Sequence, residues 1–253
     1  MRIAFVTTEY VSETECDGGL AHYLHRVSLS LRQLGHEPVV FVTSSKNERL
    51  FHDGIEVHRV NGTSFFIKVL DRLTFRRFRR VLSWLNQSLN LNRAIERCHR
   101  ETPISVIQYS SFMATGIFRN KDIPSVVRLS SYSPLWRCGY ERETLTMDVR
   151  LSEFIERAAF MRGDGIYSPS RLIARIVEEE CGKPVRAIEP PFILDQKLFQ
   201  SEIYERKLEG KKYLLFFGAV GALKGVTLIA DIVQPLLERY PELYFGLPED
   251  NCL

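Results

Sequence analysis

The sequence predicts an α/β chain: a parallel sheet flanked by helices, followed by the opening of a second unit of the same kind. Three observations carry this. Short uncharged apolar runs alternate with stretches of helical periodicity. Glycines stand where strands hand over to helices. The pattern breaks at Glu189-Pro190-Pro191 and then restarts. The 253 residues, 45% hydrophobic and 26% charged, suffice for a full core. With 15 Gly, 11 Pro and 11% aromatics, collagen-like, low-complexity and wholly disordered chains are excluded.

Ile3-Ala4-Phe5-Val6 reads as a buried parallel strand. After a polar loop, Leu20, Tyr23, Leu24, Val27, Leu31 and Leu34 recur at helical spacing, and Gly35 closes that helix. Pro38-Val39-Val40-Phe41-Val42 is the next strand, which completes a βαβ unit. Residues 55–60 alternate like a strand at the side of the sheet, and 66–99 are helical with several breaks. Strands follow at 105–109, 125–129, 165–167 and 185–188, with helices at 112–118, 151–161 and 171–181, the last capped by Ser170. The stretch 131–150 reads as a functional loop. Residues 200–212 have linker composition, 213–217 form a buried strand, 226–239 a helix and 243–245 a strand. The expected organisation is a domain over 1–190, a hinge over 191–212 and part of a second domain over 213–253.

The five cysteines are odd in number, scattered and without a C-x-x-C pair, so neither a zinc site nor a disulfide framework is supported. The longest uncharged stretch runs over 102–118, and its part 106–118 contains Gln, Ser, Thr and Gly, whereas a membrane span needs about 20 mostly apolar residues. A cytoplasmic protein with reduced thiols is expected.

Gly18-Gly19 stands at the entrance of the first helix. A helix start offers free N–H groups and partial positive charge, and glycines let a phosphate approach them closely. The residues alone equally admit a loop glycine pair with no ligand. Neither G-x-G-x-x-G after Val6 nor G-x-x-x-x-G-K-[ST] occurs, which argues against an NAD enzyme and a P-loop NTPase. In Gly218-Ala219-Val220-Gly221-Ala222-Leu223-Lys224-Gly225, the lysine can point its ammonium at a phosphate, or be a solvated lysine in a tight turn.

In this order, Ile3–Phe5, Gly18-Gly19, Gly35-His36-Glu37-Pro38-Val39-Val40, Glu156-Arg157-Ala158, Gly163 to Ser170 and Lys224-Gly225-Val226 resemble the retaining GT-B glycosyltransferases of family 4 (glycosyltransferase group 1). The resemblance runs over nearly the whole chain. It implies two Rossmann-like domains, the first on the acceptor side and the second binding a nucleotide-sugar, with no metal. It places Gly18, Gly19 and Lys224 at the donor diphosphate, where Lys224 neutralises the leaving group. Three departures stand out. Ala219 replaces an arginine common in relatives. Ser130 replaces a histidine at the end of the strand 126–129, so Arg128 and Ser130 become sugar- or acceptor-side candidates. The E-x7-E motif of the donor site has no counterpart, as expected of a C-terminally truncated member.

Lys68, Arg72, Arg76, Arg77, Arg79 and Arg80 are interleaved with Phe, Leu and Val in a segment more basic than the chain, whose net charge is +3. A basic amphipathic helix suits an anionic membrane surface, and a core helix with a solvated basic face gives the same pattern. Nucleic acid is not expected, since no nucleic-acid motif accompanies the patch. His22 and His25 share a helix face but lack further metal ligands. His22 either faces the ligand or is a surface histidine, and Glu9 either reaches an acceptor hydroxyl or is a plain loop carboxylate. The expectation is a glycosyltransferase moving a sugar from a nucleotide-sugar to a hydroxyl of a glycan or lipid-linked acceptor of cell-surface polysaccharide type. It would be cytoplasmic and peripheral at the inner face of the membrane. The alternative is a truncated, non-catalytic acceptor-binding or interaction domain.

Overall fold

The computed structural model describes residues 1–13, 18–63, 65–138, 145–190, 202–216, 221 and 224–246, with Phe65, Phe66, Lys68, Trp136, Cys138 and Ile203 through their backbone only. Two compact units result: Met1–Trp136 with Thr144–Ile193, and Arg137–Glu143 with Leu194–Leu253.

The first unit opens with strand β1 (Arg2–Thr7), helix α1 (Gly19–Gln33) and strand β2 (Glu37–Ser44). Gly35 ends α1 as the sequence predicts. It takes φ +80°, its N–H reaches Arg32 O at 3.0 Å, and the His36 N–H reaches Leu31 O at 3.0 Å. That is the Schellman pattern, which needs a left-handed residue best supplied by glycine.

A strand not foreseen in the sequence follows. β3 (Glu48–His52) and β4 (Ile55–Asn61) form an antiparallel hairpin. Its two-residue turn is Asp53-Gly54, with φ 48° and 74°. This is the positive-φ pair that matches the twist of a hairpin. β4 lies parallel to β2, so β3, not the strand at 55–60, forms the edge.

Helices α2 (Phe65–Leu73) and α3 (Arg79–Glu101) are separated by a turn in which Phe75 and Arg76 take φ 51° and 61°. Strand β5 (Val106–Ser110) leads into a single 3-10 turn at Phe112–Ala114 rather than the helix expected over 112–118. There Met113 and Ala114 leave helical geometry, with φ 60° and 52°. Strand β6 (Ser125–Arg128) follows.

The stretch read as a loop at 131–150 carries a short helix α4 (Ser133–Cys138) and the start of α5 (Met147–Met161). α5 begins earlier than expected because Thr146 caps it: its Oγ1 accepts the Val149 N–H at 3.3 Å. Strand β7 (Gly165–Ser168), helix α6 (Arg171–Cys181) and strand β8 (Arg186–Ala187) complete the unit, with Ser170 capping α6 as predicted.

The eight strands lie in the order β3-β4-β2-β1-β5-β6-β7-β8, parallel except at β3–β4. Alternation along the strands sends side chains to two faces. Ala4, Val6, Val39, Phe41, Ile107 and Val127 pack with Leu91 and Ile95 of α3, Phe160 of α5 and Val177 of α6. Phe5, Val40, Val42 and Val57 pack with Leu24 of α1 and Tyr10. The result is a doubly covered sheet, as its near-continuous apolar central strands demand. Chain order reverses between β1 and β5, which is where open α/β sheets hold ligands, beyond the strand carboxyl ends.

In the second unit, helix α7 (Glu202–Lys207) lies within the expected linker, followed by strand β9 (Lys212–Leu215), helix α8 (Val226–Arg239) and strand β10 (Leu243–Gly246). β9 pairs in parallel with β10. The expectation of a buried strand over 213–217 is corrected here: Leu214 and Leu215 are 44% and 52% exposed. The physical reason is that this sheet has two strands among the described residues, and α8 faces it across a cavity lined by Leu214, Leu215, Ile229, Ile232 and Leu236 rather than closing over it. No described helix is long and apolar enough to cross a membrane.

Candidate functional site

Polar side chains are buried where the strands of the first unit end. Thr7 ends β1, Ser110 ends β5, Arg128 ends β6 and Ser168 ends β7. All four are buried, as is Ser111. Burial of a polar group costs free energy unless it is paired. Thr7 is paired with its own loop: its Oγ1 donates to Glu9 O at 3.0 Å and faces the Glu9 N–H at 3.3 Å. The Ser111 hydroxyl donates to Ser131 O at 3.1 Å. The hydroxyl of Ser110, in contrast, is buried without a hydrogen-bond partner.

Arg128 is the strongest anomaly. The residue is 6% exposed, yet it forms no ion pair among the described residues. One guanidinium nitrogen, Nη1, donates to the Ser130 hydroxyl at 2.7 Å, and Nε has no partner. The guanidinium carbon stands 3.9 Å from the centre of the Tyr23 ring of α1. The Tyr23 hydroxyl lies 3.3 Å from that of Tyr167, which donates to Gln108 Oε1 at 2.6 Å. Burial, with Tyr23 beside it, holds the Tyr167 phenol protonated far above its ordinary range. The cluster therefore holds a fixed positive charge that no described carboxylate neutralises. Such a site suits an anion.

Ser130 and Arg128, both singled out by the sequence, are thus brought together. Glu9 and Gly18 are also joined. A side chain built on Gly18 would collide with the Glu9 carboxylate, so glycine there permits close approach of Glu9. Gly19 has nothing within 4 Å of where a side chain would stand. No side chain caps α1 at Gly18, and no acidic residue occupies its first turn. His22 is exposed on that turn.

Lys224 belongs to the second unit. It is exposed, its N–H reaches Gly221 O at 3.0 Å, and Gly225 (φ 78°) caps α8 beside it. Arg72 lies on α2, Arg76 and Arg77 in the turn, and Arg79 and Arg80 at the start of α3, so the basic segment is two helices rather than one. These five are exposed, beside Leu73 and Phe75, which are 70% and 87% exposed. Asp148 accepts the backbone N–H groups of Arg80 and Val81 at 2.9 and 3.0 Å, which pins the start of α3. Lys68 lies on α2, and its side chain is outside the described atoms.

Sequence reasoning missed Tyr23, Gln108, Tyr167 and Glu156. Tyr23 reads as an apolar helix position and Tyr167 as a strand residue, so only the fold reveals their shared hydroxyl network. Glu156 of α5 is 1% exposed. Burial pushes its carboxyl up to about 7, against the lowering effect of hydrogen bonds from Ser133 at the start of α4.

A family profile described as "Glycosyl transferase 4-like domain" matches residues 18–189. No curated protein sequence matches the chain. Among solved structures, sucrose-phosphate synthase from Thermosynechococcus elongatus superposes with a TM-score of 0.66 at 12% identity, covering 98% of this chain and 71% of that one. UGT2 from Phytolacca americana, complexed with UDP-2fluoro-glucose and pterostilbene, gives 0.59 at 9% identity over 98% and 72% of the two chains. The catalytic domain of starch synthase IV from Arabidopsis thaliana, bound to ADP and acarbose, gives 0.59 at 11% identity over 97% and 67%. These likenesses place the fold among GT-B glycosyltransferases. The profile, spanning more than half of the residues, assigns the family: the chain belongs to the glycosyl transferase 4-like domain family.

Proposed function

We propose that this protein transfers a sugar from a nucleotide-sugar to a hydroxyl of a glycan or lipid-linked acceptor that carries an anionic group, in the manner of cell-surface polysaccharide assembly. The observation that carries this reading is Arg128, a buried guanidinium at the carboxyl edge of the sheet with no carboxylate partner among the described residues. A fixed guanidinium can take a phosphate or carboxylate by two parallel hydrogen bonds. Here Nε is without a partner, and Ser130 orients the other side of the group.

In the proposed reaction, the bond from the sugar C1 to the diphosphate breaks and its electron pair leaves with the phosphate oxygen. The acceptor oxygen bonds to C1, and its proton passes to the departing diphosphate. As the family resemblance suggests, Lys224 would supply positive charge to that leaving group, so no metal is invoked. Glu9, resting against Gly18, is in the right loop to accept a hydrogen bond from the acceptor hydroxyl. Residues 1–190 would form the acceptor side and 213–253 part of the nucleotide-sugar side, joined by 191–212. The UDP-2fluoro-glucose and ADP of the solved neighbours support a nucleotide-bearing donor.

A cytoplasmic setting with the protein resting on an anionic membrane is part of the proposal. Exposed Leu73 and Phe75 among Arg72, Arg76, Arg77 and Arg79 support it. Apolar side chains can insert at the interface, and each basic residue near the surface adds about 1 kcal/mol. Flotation with anionic and with neutral vesicles tests this part; absence of binding to both sets it aside. The transfer reading is tested by calorimetric titration with a phosphorylated sugar acceptor and its dephosphorylated counterpart. Binding that requires the phosphate and Arg128 supports it, and binding indifferent to both rejects it.

A further inference from the structure

The amino-terminal half of the sheet carries a second cluster of chemistry-bearing side chains, on the hairpin that the sequence pattern did not reveal. His52 ends β3, Asp53 occupies the turn, and His25 reaches them from α1. His25 Nε2 lies 3.0 Å from Asp53 Oδ2, and His52 Nε2 lies 3.8 Å from the same oxygen. The three ligand atoms all stand within 4.8 Å of one another. A tetrahedral ion about 2.0–2.1 Å from each ligand would separate ligand pairs by about 3.3 Å. The two printed distances straddle that value.

Further observations point to a ligand here. His25 Nε2 is buried and, despite its short distance to Asp53, has no aligned hydrogen bond. Behind the cluster the buried hydroxyls of Tyr10 and Ser28 face each other. The Tyr10 ring meets His25 edge-on at 6.0 Å and His52 at 6.3 Å. The two imidazoles lie 5.4 Å apart.

The charged groups around the cluster are few. Arg32 of α1 donates to the Asp53 carbonyl at 2.8 Å, leaving the Asp53 carboxylate to the histidines. By contrast, the trio Glu56, His58 and Cys98 is already saturated: Arg2 and Arg49 bond Glu56 at 2.8 and 2.7 Å, and Arg2 also faces Cys98 Sγ.

We propose that His25, His52 and Asp53 form a site for a first-row divalent transition ion of the zinc class, which ties α1 to the β3–β4 hairpin. Two imidazoles and one carboxylate suit zinc or cobalt, and disfavour magnesium and calcium, which take oxygen ligands. The exposed side, where Asp53 stands, leaves the fourth position to water. His52 pairs with Ile55 at the amino end of β4, so this site lies at the opposite edge of the sheet from Arg128 and takes no part in the proposed transfer. Its role is to hold in place the helix whose first turn borders the ligand edge.

The test titrates metal-free, thiol-blocked protein with Zn2+ and with Co2+, with Mg2+ as control, following heat, Co2+ visible absorption and thermal midpoint. One equivalent of Zn2+ should bind and raise the midpoint, and Mg2+ should do neither. His25→Ala/His52→Ala should lose at least about 100-fold in affinity, since even outer partners of a metal ligand are worth about 10–100-fold. Asp53→Asn keeps a residue at ease with positive φ, so the hairpin persists while the charge is lost. It should weaken Zn2+ binding with an unchanged circular dichroism spectrum. Zn2+ affinity equal in the intact protein and both variants, or no saturable Zn2+ binding, would overturn the proposal.

Discussion

Replacing Arg128 by methionine separates a structural arginine from a ligand-binding one. The methionine keeps the length and apolar stem and removes the charge. The substitution gives up one charge-assisted hydrogen bond to Ser130, worth about 1.5–3 kcal/mol. It also gives up stacking on Tyr23, worth about 0.5–2 kcal/mol. Against this stands relief of a buried charge with no counter-ion among the described residues, a penalty of several kcal/mol. The two sides nearly cancel, so the urea-unfolding free energy should change by less than about 2 kcal/mol in either direction. Binding should respond differently. Removing one partner of a buried charge pair costs about 2–5 kcal/mol, so affinity for a phosphate-bearing acceptor should fall by about 30- to 4000-fold. Breaking a true buried ion pair would instead cost about 3–5 kcal/mol of stability. A loss of that size together with unchanged acceptor binding would refute the reasoning.

The remaining predictions address other links in the account. Glu156 is raised from 4.5 to about 7, so the folded state holds a proton that the unfolded chain gives up between those values. Stability from this group is therefore present below about pH 4.5 and declines as pH rises toward 7, by about 3 kcal/mol in all. Glu156→Gln should flatten that slope and raise the thermal midpoint at pH 8; an unchanged slope counts against the buried-acid description. Gly18→Ala should cost at most about 1 kcal/mol by pushing Glu9 aside, and pairing it with Glu9→Ala should cancel the cost in a double-mutant cycle. Lys224→Ala should leave stability within about 0.5 kcal/mol and weaken nucleotide-sugar affinity about 10-fold, read by titration.

The path from residues to fold is short where the local signal and the packing agree. The apolar runs at 3–6 and 38–42 lie on the central strands, and Gly35 closes α1 because only that backbone satisfies the last carbonyls. β3 escaped because an edge strand has no need of an apolar run: Glu48, Arg49 and Phe51 face solvent, and only Asp53-Gly54 betrays the hairpin. The start of α5 was hidden by polar residues around Thr146, whose capping hydroxyl is clear once the chain is folded. The site divides in the same way. Gly18-Gly19 and Arg128 are legible by position, as strand ends and helix starts. That Arg128 meets no carboxylate among the described residues is a property of residues far apart in sequence, and so is the meeting of His25 with His52 and Asp53. Neither arrangement has a local pattern from which it could be read.

The central claim, sugar transfer to an anionic acceptor at the carboxyl edge of the first sheet, is tested most directly by a mass-resolved transfer assay. The protein is incubated with a panel of nucleotide-sugars, each with a phosphorylated acceptor and with its dephosphorylated form. The account predicts an acceptor heavier by one sugar, release of nucleoside diphosphate in equal amount, preference for the phosphorylated acceptor, and loss of that preference in Arg128→Met. Absence of product with every pair, or a preference that Arg128→Met retains in full, would contradict it.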